Sequence, residues 1–532
     1  MTPRLLPARL SLAFIAMLIG GALLGLTVEA LRDTSGAVSA FDSYMFRVAR
    51  FTLWQAALST LLSVGPAILV ARALSRHPRF AGRGLLLRLF AVPLGLPAIV
   101  AAFGILALYG RAGFLAEASA AIGAGRWPGI YGLSGILVAH VFFNLPLASR
   151  LLLESLETVP AGQWRLASQL GMGARPSFRF IEWPAMRRSL PGVAALVFML
   201  CATSFTLVLT LGGGPAGTTL EVAIYQSLRF DFDPARAVAL TVVQIAVTAA
   251  AVFVLSRLGA SVAGDASLPV VGHRPAQAGR DETLVNAFIV AAAALFVVGP
   301  MVAIVAAGLG ADLSRLATEG AVGRAIGTSL VLALGAAALS VTLSLSLVVA
   351  RHRLEASRGG AQASLLERFA DVGAGFVLVV PPIVIGAGWF LLLRNRTDVF
   401  ALAPAMVVAV NAVMAMPFVV RAIRPAHDAA AVRHDRLCAQ LGISGLDRAR
   451  LVDWPALRRP LTAGFAFAMA LSLGDLGVIA LFGSDAVQTL PYLLYARMGS
   501  YRTEDAAGLA LLLGIICFLL MAIADRLGKV SR

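Results

Sequence analysis

Lysine is almost missing from this chain of 532 residues: of 44 basic residues, only Lys529 is a lysine. A phosphate-binding loop needs Gly-Lys-Ser or Gly-Lys-Thr to cradle phosphates and hold magnesium. Lys529 follows Gly528 but precedes Val530, and Ile523 stands where the leading glycine belongs. ATP binding by that device is therefore excluded, and energy from ATP would have to arrive through a partner. Cysteine is scarce too. Cys201, Cys438 and Cys517 are odd in number and imply no disulfide framework. Ser204 and Ser472 lack the base and orienting acid that nucleophilic catalysis requires, so no catalytic residue is expected. His427 and His434 stand beside Asp428 and Asp435, which a hydrated loop explains without a metal. Gly212-Gly213-Gly214 reads as a flexible exit from a span rather than a phosphate nest. No cofactor is expected in this chain.

Apolar side chains are what the sequence has in plenty. Hydrophobic residues make up 59%, charged residues 14%, and mean hydropathy is +0.85, which excludes an ordinary soluble domain. A spanning helix needs roughly 20 mostly apolar residues, because its backbone groups find no water inside the hydrocarbon. Twelve such stretches are centred near Ala16, Leu61, Ala98, Val138, Val197, Val247, Ala292, Ala336, Val380, Val408, Ala468 and Leu513. The run Leu10 to Leu26, behind Arg4 and Arg9, resembles a secretory signal; its length and the lack of a distinct cleavage site predict a retained first span.

The net charge of +16 could suit nucleic acid, but its distribution excludes that partner. Arginines gather in alternate loops: Arg72 to Arg88, Arg150 to Arg188, Arg351 to Arg368 and Arg421 to Arg459. The intervening loops mix signs, as in Glu221, Arg229, Asp231, Asp233 and Arg236. This positive-inside pattern predicts a multi-pass membrane protein with both termini inside, on the cytoplasmic face, Arg526, Lys529 and Arg532 marking the second end.

One hydrophilic segment occurs twice. Gln169-Leu170-Gly171 leads to Trp183-Pro184-Ala185-Met186-Arg187-Arg188, and 271 residues later Gln440-Leu441-Gly442 leads to Trp454-Pro455-Ala456-Leu457-Arg458-Arg459. Leu145-Pro146 and Met416-Pro417 keep the same offset. The chain thus reads as an all-α membrane protein of two homologous six-span halves in the same orientation. The halves are residues 1–262 with a loop at 150–192 and residues 282–532 with a loop at 421–460, joined by a cytoplasmic linker over 263–281. In each loop, glycine is expected to end a short helix in a left-handed turn, and Pro184 and Pro455 to prevent simple continuation of the segment that follows. Such a helix could lie on the membrane surface or dock in a groove of a soluble partner.

The spacing resembles the EAA loop of membrane subunits in bacterial ATP-binding-cassette importers, Glu-Ala-Ala followed by a spaced Gly and then Ile-x-Leu-Pro. Gly171 with Ile181 and Trp183-Pro184 fits, as does Gly442 with Val452 and Trp454-Pro455; Arg165-Leu166-Ala167 and Arg436-Leu437-Cys438 replace Glu-Ala-Ala. Longer stretches, among them His140-Val141-Phe142-Phe143-Asn144-Leu145-Pro146 and Gly474-Asp475-Leu476-Gly477-Val478, look like the fused permeases of thiamine importers. The resemblance implies a type I importer fold in a bacterial inner membrane, moving thiamine and its phosphate esters by alternating access. It further implies a periplasmic binding protein and a cytoplasmic ATPase homodimer that holds ATP and magnesium and engages Arg165, Ala167, Gly171, Ile181, Trp183, Pro184, Arg436, Gly442, Val452, Trp454 and Pro455. Fused permeases for ferric iron or phosphonate share the plan.

An ionisable group within a span needs a partner or water. Asp475 in the eleventh span has Ser204 as its counterpart in the fifth, and a carboxylate there could attract the thiazolium cation or merely bond neighbouring helices. His140, Asn144 and Asn411 raise the same question, with polar contact between helices favoured. An ion-coupled secondary transporter would also use such an acid; a membrane enzyme would need a cluster that is missing.

Overall fold

The computed structural model describes residues 5–257, 280–357, 380–394, 398–483 and 487–528, apart from 79, 124, 126 and 215–216. Residues 263–279 of the expected linker 263–281, together with Arg4, Arg79, Arg358, Arg368, Lys529 and Arg532, lie outside the described residues, and the linker's last two residues open helix Arg280–Leu309. The fold is all-α, as the absence of water in hydrocarbon demands of a chain this apolar. Among the described residues, ten helices are long and apolar enough to cross a membrane. The two further expected centres also fall on or beside helix: Ala468 lies in Trp454–Leu473, and Val380 precedes the short apolar helix Pro382–Leu393.

Packing does not follow the order of the chain. One compact unit comprises residues 1–42, 223–245 and 311–532, and the other residues 43–222 and 246–310. The first helix of each sequence half is thereby exchanged: Leu6–Arg32 packs among second-half helices, and Arg280–Leu309 among first-half helices.

Small residues make both exchanges possible, because lipid supplies no hydrophobic drive between helices and close backbone approach must supply dispersion instead. In the first unit, Gly21 and Gly25 lie one turn apart on Leu6–Arg32 and meet Pro382–Leu393. A Cβ on Gly25 would stand 2.0 Å from the Gly388 carbonyl oxygen, and one on Gly21 would stand 2.3 Å from the Trp389 ring. Trp389 donates its indole N–H to the Leu18 carbonyl at 2.7 Å, and Arg394 pairs with the buried Glu29 at 2.7 Å. In the second unit, a Cβ on Gly104 would stand 2.7 Å from the Pro300 carbonyl oxygen of Arg280–Leu309. Gly104 and Gly388 each lie seven residues after the matched prolines Pro97 and Pro381, so the same seam is built twice.

Gly25→Leu should therefore lower the thermal unfolding midpoint of the detergent-solubilised protein, by the equivalent of about 1–3 kcal/mol or more. Gly20→Leu should leave it unchanged, since nothing lies within 4 Å of a Cβ there. Equal effects of the two substitutions would show that this seam does not hold the first helix.

Candidate functional site

The two repeated loops fold alike from their glycine onward. Helix Ala161–Gln169 ends at Gly171, whose φ of 64° belongs to the left-handed region that a side chain disfavours. The Met172 N–H then reaches back to the Ala167 carbonyl at 2.9 Å and the Gly171 N–H to that of Ser168 at 3.1 Å, closing a Schellman turn. In the second loop Gly442 has φ 65°, and Ile443 reaches Cys438 at 2.9 Å. No atom lies within 4 Å of where a Cβ would stand at either glycine, so conformation and not space requires it.

Before the glycine the loops differ. Pro160 caps a separate helix in the first loop, whereas Ala431 at the matching position lets Ala403–Gln440 run unbroken from the membrane into the second loop.

After the glycine, the expectation that proline interrupts the segment needs correction. Residues Ala174–Ala202 form one helical run. Pro184 is accommodated by a π-turn over Phe178–Glu182, closed by the Trp183 N–H on the Phe178 carbonyl five residues back. Ala449–Asp453 repeats this before Trp454-Pro455. The wider turn takes up the ring and the missing donor that would break an α-helical turn.

Each loop buries one face and bares another. Trp164 and Ala167 pack with Val159 and Ile181, and Trp183 lies half-buried against Phe178 at 6.1 Å. Arg165 and Arg436 are exposed. So are Leu166 (56%) and Leu170 (68%), which lie one turn apart, and their counterparts Leu437 (51%) and Leu441 (63%). An uncovered leucine pair flanked by arginine thus recurs at the same offset, a small apolar patch of the kind that helices dock into grooves.

Ionic clusters tie these loops to the spans. Glu182, fully buried, accepts from Arg72 at 2.9 Å and Arg76 at 2.8 Å at the end of helix Ser43–Arg76. Glu282, at the start of Arg280–Leu309, pairs with the same two arginines. Arg76 also bonds the Ala174 carbonyl at 3.2 Å. In the other unit, Asp435 accepts from His352 at 2.9 Å and Arg448 at 2.6 Å, while Arg448 also meets Asp453 at 3.5 Å. Desolvation opposes the Arg448 charge, but Asp435 and Asp453 outweigh it and hold that guanidinium above its ordinary pKa. Sequence reading missed the carboxylates Glu182 and Asp453, though an acid immediately before Trp-Pro in both copies was legible.

The fifth and eleventh spans are broken helices, which corrects the placement of Asp475 within a continuous span. Trp183–Ala202 stops and the helix restarts as Thr206–Leu211; Trp454–Leu473 stops and restarts as Gly477–Phe482. Ser204 and Asp475 occupy the two unwound stretches, again 271 residues apart. Asp475 Oδ1 accepts the Gly477 N–H at 3.1 Å, while Oδ2 is buried with no hydrogen-bond partner among the described residues. Asn411 donates to Ser472 at 3.0 Å, just before that break. In the other unit, His140 shares a hydrogen bond with Ser59 at 2.9 Å, Asn144 donates to the Cys201 sulfur at 3.3 Å, and His140 Nε2 is buried without a partner among the described residues. The asparagines thus join the fourth and tenth spans to the helix ends at the breaks. Unwound backbone at membrane depth is tolerated where protein or a water-filled path surrounds it, and transporters place cargo at such breaks.

Residues 356–531 match the family described as "Binding-protein-dependent transport system inner membrane component". A thiamine transport system permease protein of Brucella abortus (strain 2308) is 58% identical over 97% of this chain and 94% of its own length. Proteins of the same description from Escherichia coli (strain K12) and Haemophilus influenzae are 44% and 38% identical, covering 91% and 90% of this chain and 90% and 88% of their own.

Glu182→Ala removes the fully buried acid between Arg72 and Arg76, which keep Glu282, and should destabilise the protein by about 1.5–3 kcal/mol. Asp453→Ala, whose carboxylate is 29% exposed, should cost clearly less. Denaturant unfolding in detergent measures both, and equal losses would remove Glu182 as the anchor of its loop.

Proposed function

We propose, because the chain belongs to the family of thiamine transport system permeases, that its two repeated loops are where a separate ATPase drives thiamine import. The chain is the multi-pass inner-membrane permease of an ATP-binding-cassette importer for thiamine. The observation that carries the coupling role is the pair of exposed leucines before each left-handed glycine. Leu166 and Leu170 in one loop, Leu437 and Leu441 in the other, offer two matched plugs for two ATPase subunits. ATP and magnesium belong to those subunits. Both chain termini and both loops then lie on the cytoplasmic side.

Movement would pass from loop to membrane through the charged clusters. Glu182 links the first loop to helices Ser43–Arg76 and Arg280–Leu309, and Asp435 links the second to Gly320–Ser357 through His352. Closure of the ATPase pair would displace both loops and so open the path outward to a periplasmic binding protein carrying thiamine or a thiamine phosphate. Ser204, Asp475, His140, Asn144 and Asn411 are assigned to that path. Asp475 has the chemistry for the thiazolium cation: a buried carboxylate with one oxygen capping a helix and the other lacking a partner among the described residues.

Two measurements test this. Leu166→Asp with Leu437→Asp should prevent copurification of the ATPase while the permease still inserts; an intact complex would overturn docking through the leucines. Asp475→Asn should weaken binding-protein-dependent uptake of labelled thiamine into proteoliposomes by roughly tenfold or more with the ATPase still bound, one lost charge contact being worth about 1.4 kcal/mol or more. Unchanged uptake would remove Asp475 from the path.

A further inference from the structure

The repeat departs from its own pattern at the foot of the second loop. At the 271-residue offset, His427 and Asp428 stand where the first half has Leu156 and Glu157. Leu156 is fully buried, and so is His427, at 4% exposure, rather than lying in a hydrated loop. An imidazole thus replaces a core leucine, and its Nδ1 is buried with no hydrogen-bond partner among the described residues. A buried nitrogen left unpaired opposes folding, so the exchange needs a role that leucine cannot perform.

A second imidazole faces it. His352, on Gly320–Ser357, sets its ring 5.2 Å from that of His427, on Ala403–Gln440, at 72°. With Asp428 they form a cluster within one unit, a ligand atom of each lying within 4.8 Å of the others. His427 Nδ1 stands 3.7 Å from Asp428 Oδ1, beyond hydrogen-bond reach. Metal bonds of about 2.1 Å place tetrahedral ligand atoms about 3.4 Å apart, so small side-chain rotations close the site. Asp435 accepts from His352 Nε2 at 2.9 Å. Metal-ligating histidines ordinarily keep such a carboxylate partner, which leaves a lone pair on the other ring nitrogen. Arg351 lies nearer Asp428 Oδ2, at 3.2 Å, than Oδ1, at 3.5 Å, and Arg424 approaches Oδ2 at 3.8 Å. Being donors only, these guanidiniums do not compete for the imidazole lone pairs. His434 takes no part in the cluster and bonds the Ala430 carbonyl at 3.0 Å.

We propose that His352, His427 and Asp428 bind a divalent transition-metal ion such as zinc, with water completing its coordination. Two imidazoles favour such an ion over calcium or magnesium, which take oxygen ligands. The Asp428 side chain, 38% exposed, gives the ion a way in. The ion joins Gly320–Ser357 to the helix that runs unbroken into the second loop, and through His352 it is linked to the Asp435–Arg448 pair. It therefore clamps that loop to its spans. The first loop, with Leu156 in place of His427, cannot be clamped in this way. Binding of the ion does not depend on which ATPase or cargo the protein serves.

The full chain, purified without a polyhistidine tag and stripped with chelator, is titrated with Zn²⁺ against a chromogenic chelator and with Co²⁺ for its visible ligand-field bands. The expected result is one Zn²⁺ bound per chain, and Co²⁺ bands of a nitrogen-and-oxygen site. His427→Leu restores the residue of the first half, so it should fold as the parent does and lose the site. His352→Gln should lose it as well. Asp435→Asn should weaken binding about 10–100-fold, as removing the carboxylate partner of a ligating histidine does. His434→Gln should bind as the parent does. Less than one equivalent bound, or binding undiminished in His427→Leu and His352→Gln, would overturn the proposal. The His352 side chain is 22% exposed, so His352→Gln keeps the test decisive should the buried position not tolerate leucine.

Discussion

A backbone polar group has nothing to bond within hydrocarbon but other backbone, and the rest of this structure depends on that constraint. It makes nearly every span a helix, so departures from helix are informative. Among the described residues they include the two π-turns before Trp-Pro and the two breaks at Ser204 and Asp475, these four recurring at the 271-residue offset. The π-turns stand where each loop meets its span, and the breaks lie further along the same helical runs. Loop and break are thus opposite ends of one stiff element in each unit. A push delivered at Glu182 or Asp453 has a short, covalently continuous way to the unwound residues.

The glycine seams serve a related need. Without water to drive association, the exchanged first helices are held by backbone approach at Gly25 and Gly104, reinforced by the Trp389 hydrogen bond and the Glu29–Arg394 pair. The charged clusters at the loops draw on different physics, since carboxylates as buried as Glu182 are worth keeping only when fully paired.

Much of this was legible in sequence because periodicity and repetition are local signals. The spans follow from apolar length, and the loops from the matched Gly and Trp-Pro. The left-handed turn at Gly171 follows from glycine's lack of a Cβ. The π-turns were not legible: a proline two residues into a helix reads as a break unless the turn before it widens, and no residue type announces that widening. The exchange of first helices was hidden for another reason. Gly21 and Gly25 look like ordinary small residues in an apolar run until Gly388, more than 350 positions away, is known to face them. Asp475 stood out as an acid in a span, but the interruption that accommodates it lies between Gly474 and Gly477, where glycine alone does not predict unwinding.

The exchanged first helix carries a consequence for synthesis. Leu6–Arg32 leaves the ribosome well before its seam partner Pro382–Leu393, which is made roughly 350 residues later. At about 5–20 residues per second, that is on the order of 20–70 s during which Gly21 and Gly25 face only lipid. For that interval the helix is a lone anchor with its packing face unclaimed, and neither unit can be completed until most of the chain has entered the membrane. Cutting the gene between its halves would therefore yield two fragments that each carry the other's missing helix.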